Sequence, residues 1–166
     1  MTLRIDPIAE ARRHWEARWG AEPGRAMAAI TSIVRAQQLL LARYDELLKP
    51  FGITFARYEA LMLLLFTRSG ELPVGKIGER LQVHRSSVTN AVDKLAGDGL
   101  VERVPHPTDG RTTLIRITDA GRDVATRATE VLNAEDFAVG ALSVEEREAL
   151  TRVLTTLRAD AGDFAA

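Results

Sequence analysis

The chain has 166 residues, 46% hydrophobic and 27% charged, which suits a globular protein with one main core. It contains no cysteine, which excludes disulfide bonds, thiol catalysis and cysteine zinc sites. Its longest apolar run, Ala60–Phe66, is far shorter than the roughly 20 residues that a membrane helix needs. The opening MTLRIDPIAE lacks the apolar stretch of a signal peptide, so we expect a cytoplasmic protein without a membrane segment.

Helical spacing of apolar residues predicts two helices in the first 50 residues. The first covers Pro7–Trp19, where Ile8, Ala11, Trp15 and Trp19 recur at helical spacing. We expect the glycines and proline of residues 20–24 to interrupt the chain after it. A long second helix is predicted over residues 25–49, because proline and glycine follow directly after it.

A third helix is predicted to begin near Thr54, a plausible N-cap, and to extend to Gly70. Its run Leu61–Phe66 is apolar on every side, so we expect this helix to lie in the core. The next residues, Glu71–Pro73, are predicted to form a short link.

The middle of the chain predicts a winged helix-turn-helix. A short helix over Val74–Leu81 is followed by a tight turn at 82–84 and a second helix over Arg85–Ala96. Two β-prone segments, Leu100–Val104 and Thr112–Ile117, then flank a turn sequence and predict a hairpin. The fold class is therefore mainly α with a small β-hairpin wing.

Two further helices are predicted after the hairpin. Thr118 is a plausible cap for a helix that extends to about Val139. Ser143 and Glu146 fit a capping box at the start of the last helix. The apolar positions of that helix share one face: Leu150, Val153, Leu154 and Leu157.

The second helix of the motif has two contrasting faces. Its inward stripe is predicted to comprise Val88, Ala91, Val92 and Leu95. The opposite face carries short polar side chains that can approach base edges, and cations that can neutralise phosphates. We predict that these residues bind DNA: Arg85, Ser86, Ser87, Thr89, Asn90 and Lys94.

An ordinary solvated face is the alternative for this helix. Ser, Thr and Asn are poor interior helix formers, so their concentration here favours a functional reason. Asp93 lies on the same face and would repel phosphate unless it accepts from a cytosine amino group or pairs with a nearby arginine. The acidic residues of the chain are concentrated in its C-terminal third, where residues 119–166 hold 10 Asp and Glu against 5 Lys and Arg. Residues 1–70 hold 7 Asp and Glu against 10 Lys and Arg, so a nucleic-acid surface is expected upstream of residue 119.

The predicted hairpin tip supplies a second DNA contact. Arg111 is expected to enter a minor groove, whose focused negative potential attracts arginine. Asp109 is expected to orient Arg111, or an arginine of the helix, through a two-pronged ion pair. The alternative is a plain Asp-Gly turn with a solvated arginine.

Several motifs in order resemble the multiple-antibiotic-resistance regulator (MarR) family. They are the helix-turn-helix, the link LAGDGLVER, the Asp-x-Arg of the wing, and the helix starts ITDAG and LSVEERE. The resemblance covers roughly residues 25–160. It implies a homodimer in which helices within 7–49 and 119–161 pair, while residues 54–118 bind DNA. It further implies ligand-responsive transcription control, with repression at a palindromic double-stranded operator.

His84 departs from the small hydroxyl residue that usually caps the recognition helix, so that cap is expected to be weaker or made differently.

The extra first helix is similar to that of the urate-responsive subgroup of the family. This resemblance implies that Trp15, Glu59 and Arg103 bind a small anionic or aromatic effector. The subgroup's second arginine would fall near Ala91, which disfavours urate itself. Trp15 is alternatively a packing residue that seals the dimer.

Other classes of function have weaker support. The three histidines are not at metal-ligand spacing, and the sequence contains no nucleotide-binding or nucleophile motif. We therefore expect no catalytic residue, metal or cofactor. A winged helix can also act through protein–protein contacts without binding DNA specifically, but such a module should expose apolar or aromatic residues on its recognition face.

Overall fold

The computed structural model describes residues 3–82, 84–109 and 111–164, with Arg85 described by its backbone. The chain forms two compact units, Met1–Arg43 and Tyr44–Ala166. Helices predominate, and a single three-stranded antiparallel sheet is present within the described residues. The predicted fold class, mainly α with a small β wing, is confirmed.

The first predicted helix, α1 (Pro7–Trp19), is confirmed, and its N-cap Asp6 accepts a hydrogen bond from the N–H of Ile8. Helix α2 (Ala21–Leu48) begins earlier than predicted. Only Gly20 interrupts the chain, with a φ of 95°. The expected break at Pro23 and Gly24 is wrong, because proline in the first turn of a helix lacks an N–H that would have no helical partner anyway.

Helix α3 (Phe55–Leu65) is central to the second unit, with Leu61 and Leu64 buried. Thr54 takes the N-cap position, although its side chain makes no capping hydrogen bond. The helix therefore lies in the core as predicted, but it ends well before Gly70, and Phe66 at the end of the apolar run is 78% exposed.

The helix-turn-helix and the sheet pack around this helix. They comprise α4 (Val74–Leu81), α5 (Arg85–Gly97), β2 (Val101–Pro105) and β3 (Thr113–Ile117), all close to the predicted bounds. The residues predicted as a link form a third strand, β1 (Glu71–Pro73), in which Leu72 pairs with Ile115 and gives the sheet order β1-β3-β2. The prediction failed because a three-residue strand depends on its partner more than on its own sequence.

Helix α6 (Asp119–Ala134) is capped by the hydroxyl of Thr118, as predicted, but ends before Val139. Gly121 packs against the carbonyl of Leu100 so closely that a Cβ would lie 2.0 Å from its oxygen. A short 3₁₀ turn follows at Asp136–Ala138. Helix α7 (Val144–Asp160) begins with the predicted capping box, which Ser143 and Glu146 complete.

Large apolar side chains remain exposed on several helices. On α7 they include Leu150, Val153 and Leu157, which share a face. On α2 they include Ile30 and Val34. Aligned apolar exposure of this kind is typical of surfaces that another chain covers.

Candidate nucleic-acid interface

The turn between α4 and α5 sets the start of the recognition helix. Gln82 adopts a left-handed conformation with φ 53°, and its side-chain amide donates to the carbonyl of Asp163, 2.8 Å away. Val83 lies outside the described residues. His84 caps α5, because its Nδ1 accepts from the N–H of Ser86 at 3.3 Å and lies 2.8 Å from the hydroxyl of Ser86. The cap is thus made by an imidazole in place of a hydroxyl.

Helix α5 has the two faces that the spacing predicts. Val88, Val92 and Leu95 are buried, while Ala91 is half-buried. The predicted DNA-binding side chains that the structure describes are exposed on this helix: Ser86, Ser87, Thr89, Asn90 and Lys94. The side chain of Arg85 lies outside the described part of the structure, so its role stays a prediction.

Asp93, also exposed on α5, is paired with the wing. Its Oδ1 accepts from Nη2 of Arg103 on β2 at 2.6 Å. Of the two expectations for Asp93, pairing with an arginine is therefore the one observed in the unbound protein.

The wing tip is held by hydrogen bonds to Asp109. The hydroxyl of Thr112 donates to Oδ2 at 2.6 Å, and the backbone N–H of Arg111 donates to Oδ1 at 3.0 Å. Both contacts lower the pKa of Asp109, so its carboxylate form is stabilised. The prediction of a two-pronged ion pair with Arg111 is wrong, since Asp109 accepts from the backbone N–H of Arg111, whose side chain is exposed. The alternative, a pair with an arginine of the helix, concerns the side chain of Arg85, which lies outside the described part of the structure.

A cleft of about 620 Å³ lies between α4, α5 and the wing. Lys76, Thr89, Arg103, His106 and Arg111 are among its lining residues. Lys76, which the sequence analysis did not single out, lines the cleft on α4, where its Nζ donates to Oε2 of Glu79 at 2.7 Å. The available signal was its position in the first helix of the motif, which commonly crosses the DNA backbone in helix-turn-helix proteins.

The three predicted effector residues have separate surroundings. Trp15 belongs to the first unit, where its ring lies 4.5 Å from that of Trp19. Glu59 lines a cavity of about 50 Å³ with residues of α3, α4 and α5, and burial raises the pKa of its carboxyl. Arg103 lines the larger cleft instead. The cavity at Glu59 is much smaller than the roughly 300 Å³ at which ligand pockets begin.

The structure was also searched for metal sites and for membrane-spanning helices within the described residues. No group of three or more His, Asp or Glu side chains among them is placed to hold a metal ion. No helix in the described ranges is long and apolar enough to cross a membrane.

A helix-turn-helix with an exposed polar second helix, flanked by a hairpin with an arginine at its tip, defines a winged-helix DNA-binding transcription regulator. Comparison with known proteins supports this class. Residues 51–112 match the model of the MarR family. The crystal structure of Sco5413, a MarR family transcriptional regulator from Streptomyces coelicolor, is 56% identical with a TM-score of 0.79, covering 86% of this chain and 99% of that one. The chain therefore belongs to the MarR family.

Two further likenesses are more distant. The HTH-type transcriptional repressor IacR of Pseudomonas putida is 33% identical over 87 residues, which are 52% of this chain and 51% of that protein. The chain thus matches about half the length of this curated relative. Sco3205 of Streptomyces coelicolor, a MarR family regulator solved in complex with DNA, is 22% identical with a TM-score of 0.69, covering 78% of this chain and 82% of that one. This second structure shares the fold.

Proposed function

We propose that the chain is a ligand-responsive repressor that binds a palindromic operator in the cytoplasm as a homodimer. The observation that carries the proposal is the exposed row of short polar side chains on α5, opposite a stripe of buried Val and Leu. Each recognition helix would enter a major groove, with the two half-sites about one helical turn, or roughly 34 Å, apart. Helices within residues 7–49 and 119–161 would form the dimer, and residues 54–118 would bind DNA.

The alternative is a winged helix that acts through protein contacts alone. The outward side chains of α5 are hydroxyls, an amide and charged groups, whereas a protein-docking face would offer apolar or aromatic anchors. The exposed Arg111, which lines the cleft beside α5, also favours a polyanion. We propose regulation rather than catalysis, because the winged-helix fold and the exposed polar face of α5 both serve binding.

Asn90 tests the proposal directly. Selection from randomised duplexes should give the wild-type protein a palindromic preference, which Asn90→Ala should relax at one base position per half-site. The expected discrimination lost there is about 1–3 kcal/mol, since asparagine can bind adenine through two hydrogen bonds. Ser143→Ala, which removes a cap of α7 outside the DNA-binding residues, is the control and should select the wild-type sequence. Identical preferences for the wild type and Asn90→Ala would contradict the role of Asn90, and a wild type without any preference would contradict DNA recognition.

An effector would act by changing the spacing of the two recognition helices. It must bind the two spacings with different affinity, or it shifts nothing. Glu59 is the contact that this proposal tests, and the small cavity beside it would have to widen to admit an aromatic anion. The effector roles of Trp15 and Arg103 stay predictions. Titration with benzoate, a small aromatic anion, should weaken operator binding at least about fivefold, the lower end of typical allosteric coupling, and Glu59→Gln should reduce this response. If benzoate does not alter operator affinity, the proposed effector class is wrong.

A further inference from the structure

The recognition helix carries an acid where DNA would approach. Asp93 is the one acidic residue in the sequence of α5, and its side chain is exposed on the same helix as Thr89 and Asn90. Duplex DNA presents a negative charge about every 1.7 Å along its axis. An unpaired carboxylate on this surface would therefore repel the DNA that the neighbouring side chains are proposed to bind.

The structure compensates this charge from outside the helix. Nη2 of Arg103 donates to Oδ1 of Asp93 at 2.6 Å. Arg103 belongs to β2, where it pairs with Ile115 of β3, so a rigid strand of the wing positions the guanidinium. Arg103 also lines the cleft between α4, α5 and the wing.

Fold stability does not account for this ion pair. The side chains of Arg103 and Asp93 are 41% and 58% exposed, and pairs this exposed contribute little to unfolding free energy. The contribution of the pair is larger beside a polyanion, because there the charge of Asp93 acts on every nearby phosphate.

We propose that Arg103 is a positioning residue for DNA binding: it neutralises Asp93 and joins the recognition helix to the wing, and it is not itself a nucleotide contact. This inference rests on the proposed function, since the charge of Asp93 matters in this way only if α5 faces DNA. It also gives Arg103 a role different from the effector binding that the resemblance to the urate-responsive subgroup implies.

Charge removal and rescue test the inference in the full-length protein. The probe is a duplex selected by the wild type, with binding measured by fluorescence anisotropy at several salt concentrations. Arg103→Gln should weaken binding roughly tenfold, the scale of one charged contact at a nucleic-acid surface. Adding Asp93→Asn should restore affinity to within about threefold of the wild type, because no carboxylate then remains to be neutralised. Arg103→Lys should also retain most of the affinity, since it keeps the cation.

A similar ion pair on α6 provides the control. Arg127 contacts Asp123 at 3.0 Å, and both side chains are exposed. Arg127→Gln should change operator affinity less than about twofold, because surface pairs away from the ligand are nearly neutral. Equal weakening by Arg127→Gln would overturn the inference, and so would a double variant as weak as Arg103→Gln, which would make Arg103 a direct DNA contact. In both cases the wild type still selects its duplex, whereas a wild type without sequence preference would overturn the proposed function.

Discussion

Replacing Arg111 with alanine is expected to weaken operator binding by about 100-fold or more, because a hydrogen bond to a charged group contributes about 1.5–3 kcal/mol and a homodimer has two wings. Hydrogen bonds at the wing tip hold the backbone from which the side chain of Arg111 extends. Asp109 accepts from the backbone N–H of Arg111 and from the hydroxyl of Thr112, while His106 Nδ1 accepts from the N–H of Asp109 at 3.2 Å. A turn held this way loses little conformational entropy when its arginine enters a groove.

The salt dependence of operator binding distinguishes a DNA contact of Arg111 from a loss of structure in the variant. A cation in the minor groove neutralises phosphate charge and releases counterions, and each charge neutralised contributes about 0.9 to the steepness of log K against log salt. Arg111→Ala should therefore reduce the steepness of this slope by about 2 for the dimer. Arg111→Lys keeps the charge and should retain the slope while losing part of the affinity, because lysine lacks the planar fork of arginine. Wild-type affinity and slope in Arg111→Ala would show that the wing tip is not a DNA contact.

The periodic spacing of apolar residues predicted where the helices lie better than it predicted where they begin and end. The inward stripe of α5 and the capping box at Ser143 depend on residues close together in sequence, and both are found. Strand β1 depends on pairing with β3, more than 40 residues away, which leaves no periodic signal in Glu71–Pro73. Phe66 ends the apolar run but lies beyond the last residue of α3, where the helical face no longer determines its environment.

In the candidate site, too, features set by residues close in sequence were predicted, and features set by distant residues were not. Spacing along one helix predicted which side chains of α5 point outward. It could not choose between a base contact and an arginine partner for Asp93, because Arg103 is brought there by the hairpin. The expectation that His84 makes the cap weaker or in a different way is met by its imidazole, although capping preferences, which favour small side chains, could not specify that geometry.

Val153→Glu should separate the proposed homodimer into folded monomers. Val153 is 62% exposed and shares a face of α7 with Leu150 and Leu157, so glutamate there costs the isolated chain little. In a symmetric dimer that covers this face, the change would bury two unpaired charges, each at a cost of about 3–5 kcal/mol. Sedimentation should then report monomers, and circular dichroism should report unchanged helix content.

Val144→Glu is the matched control, because Val144 is also 62% exposed on α7 but lies nine residues before Val153 and therefore on the opposite side of the helix. It should stay dimeric, and an acid in the first turn of a helix is favourable in itself. Monomeric Val153→Glu should lose about 10²–10⁴-fold in affinity for the full operator, the gain that bivalent binding provides, while its affinity for a single half-site stays that of the wild type. If Val153→Glu remains dimeric and binds the full operator normally, α7 does not form the dimer interface. A monomer that keeps full operator affinity would instead show that one recognition helix is sufficient, since avidity cannot survive the loss of the second site.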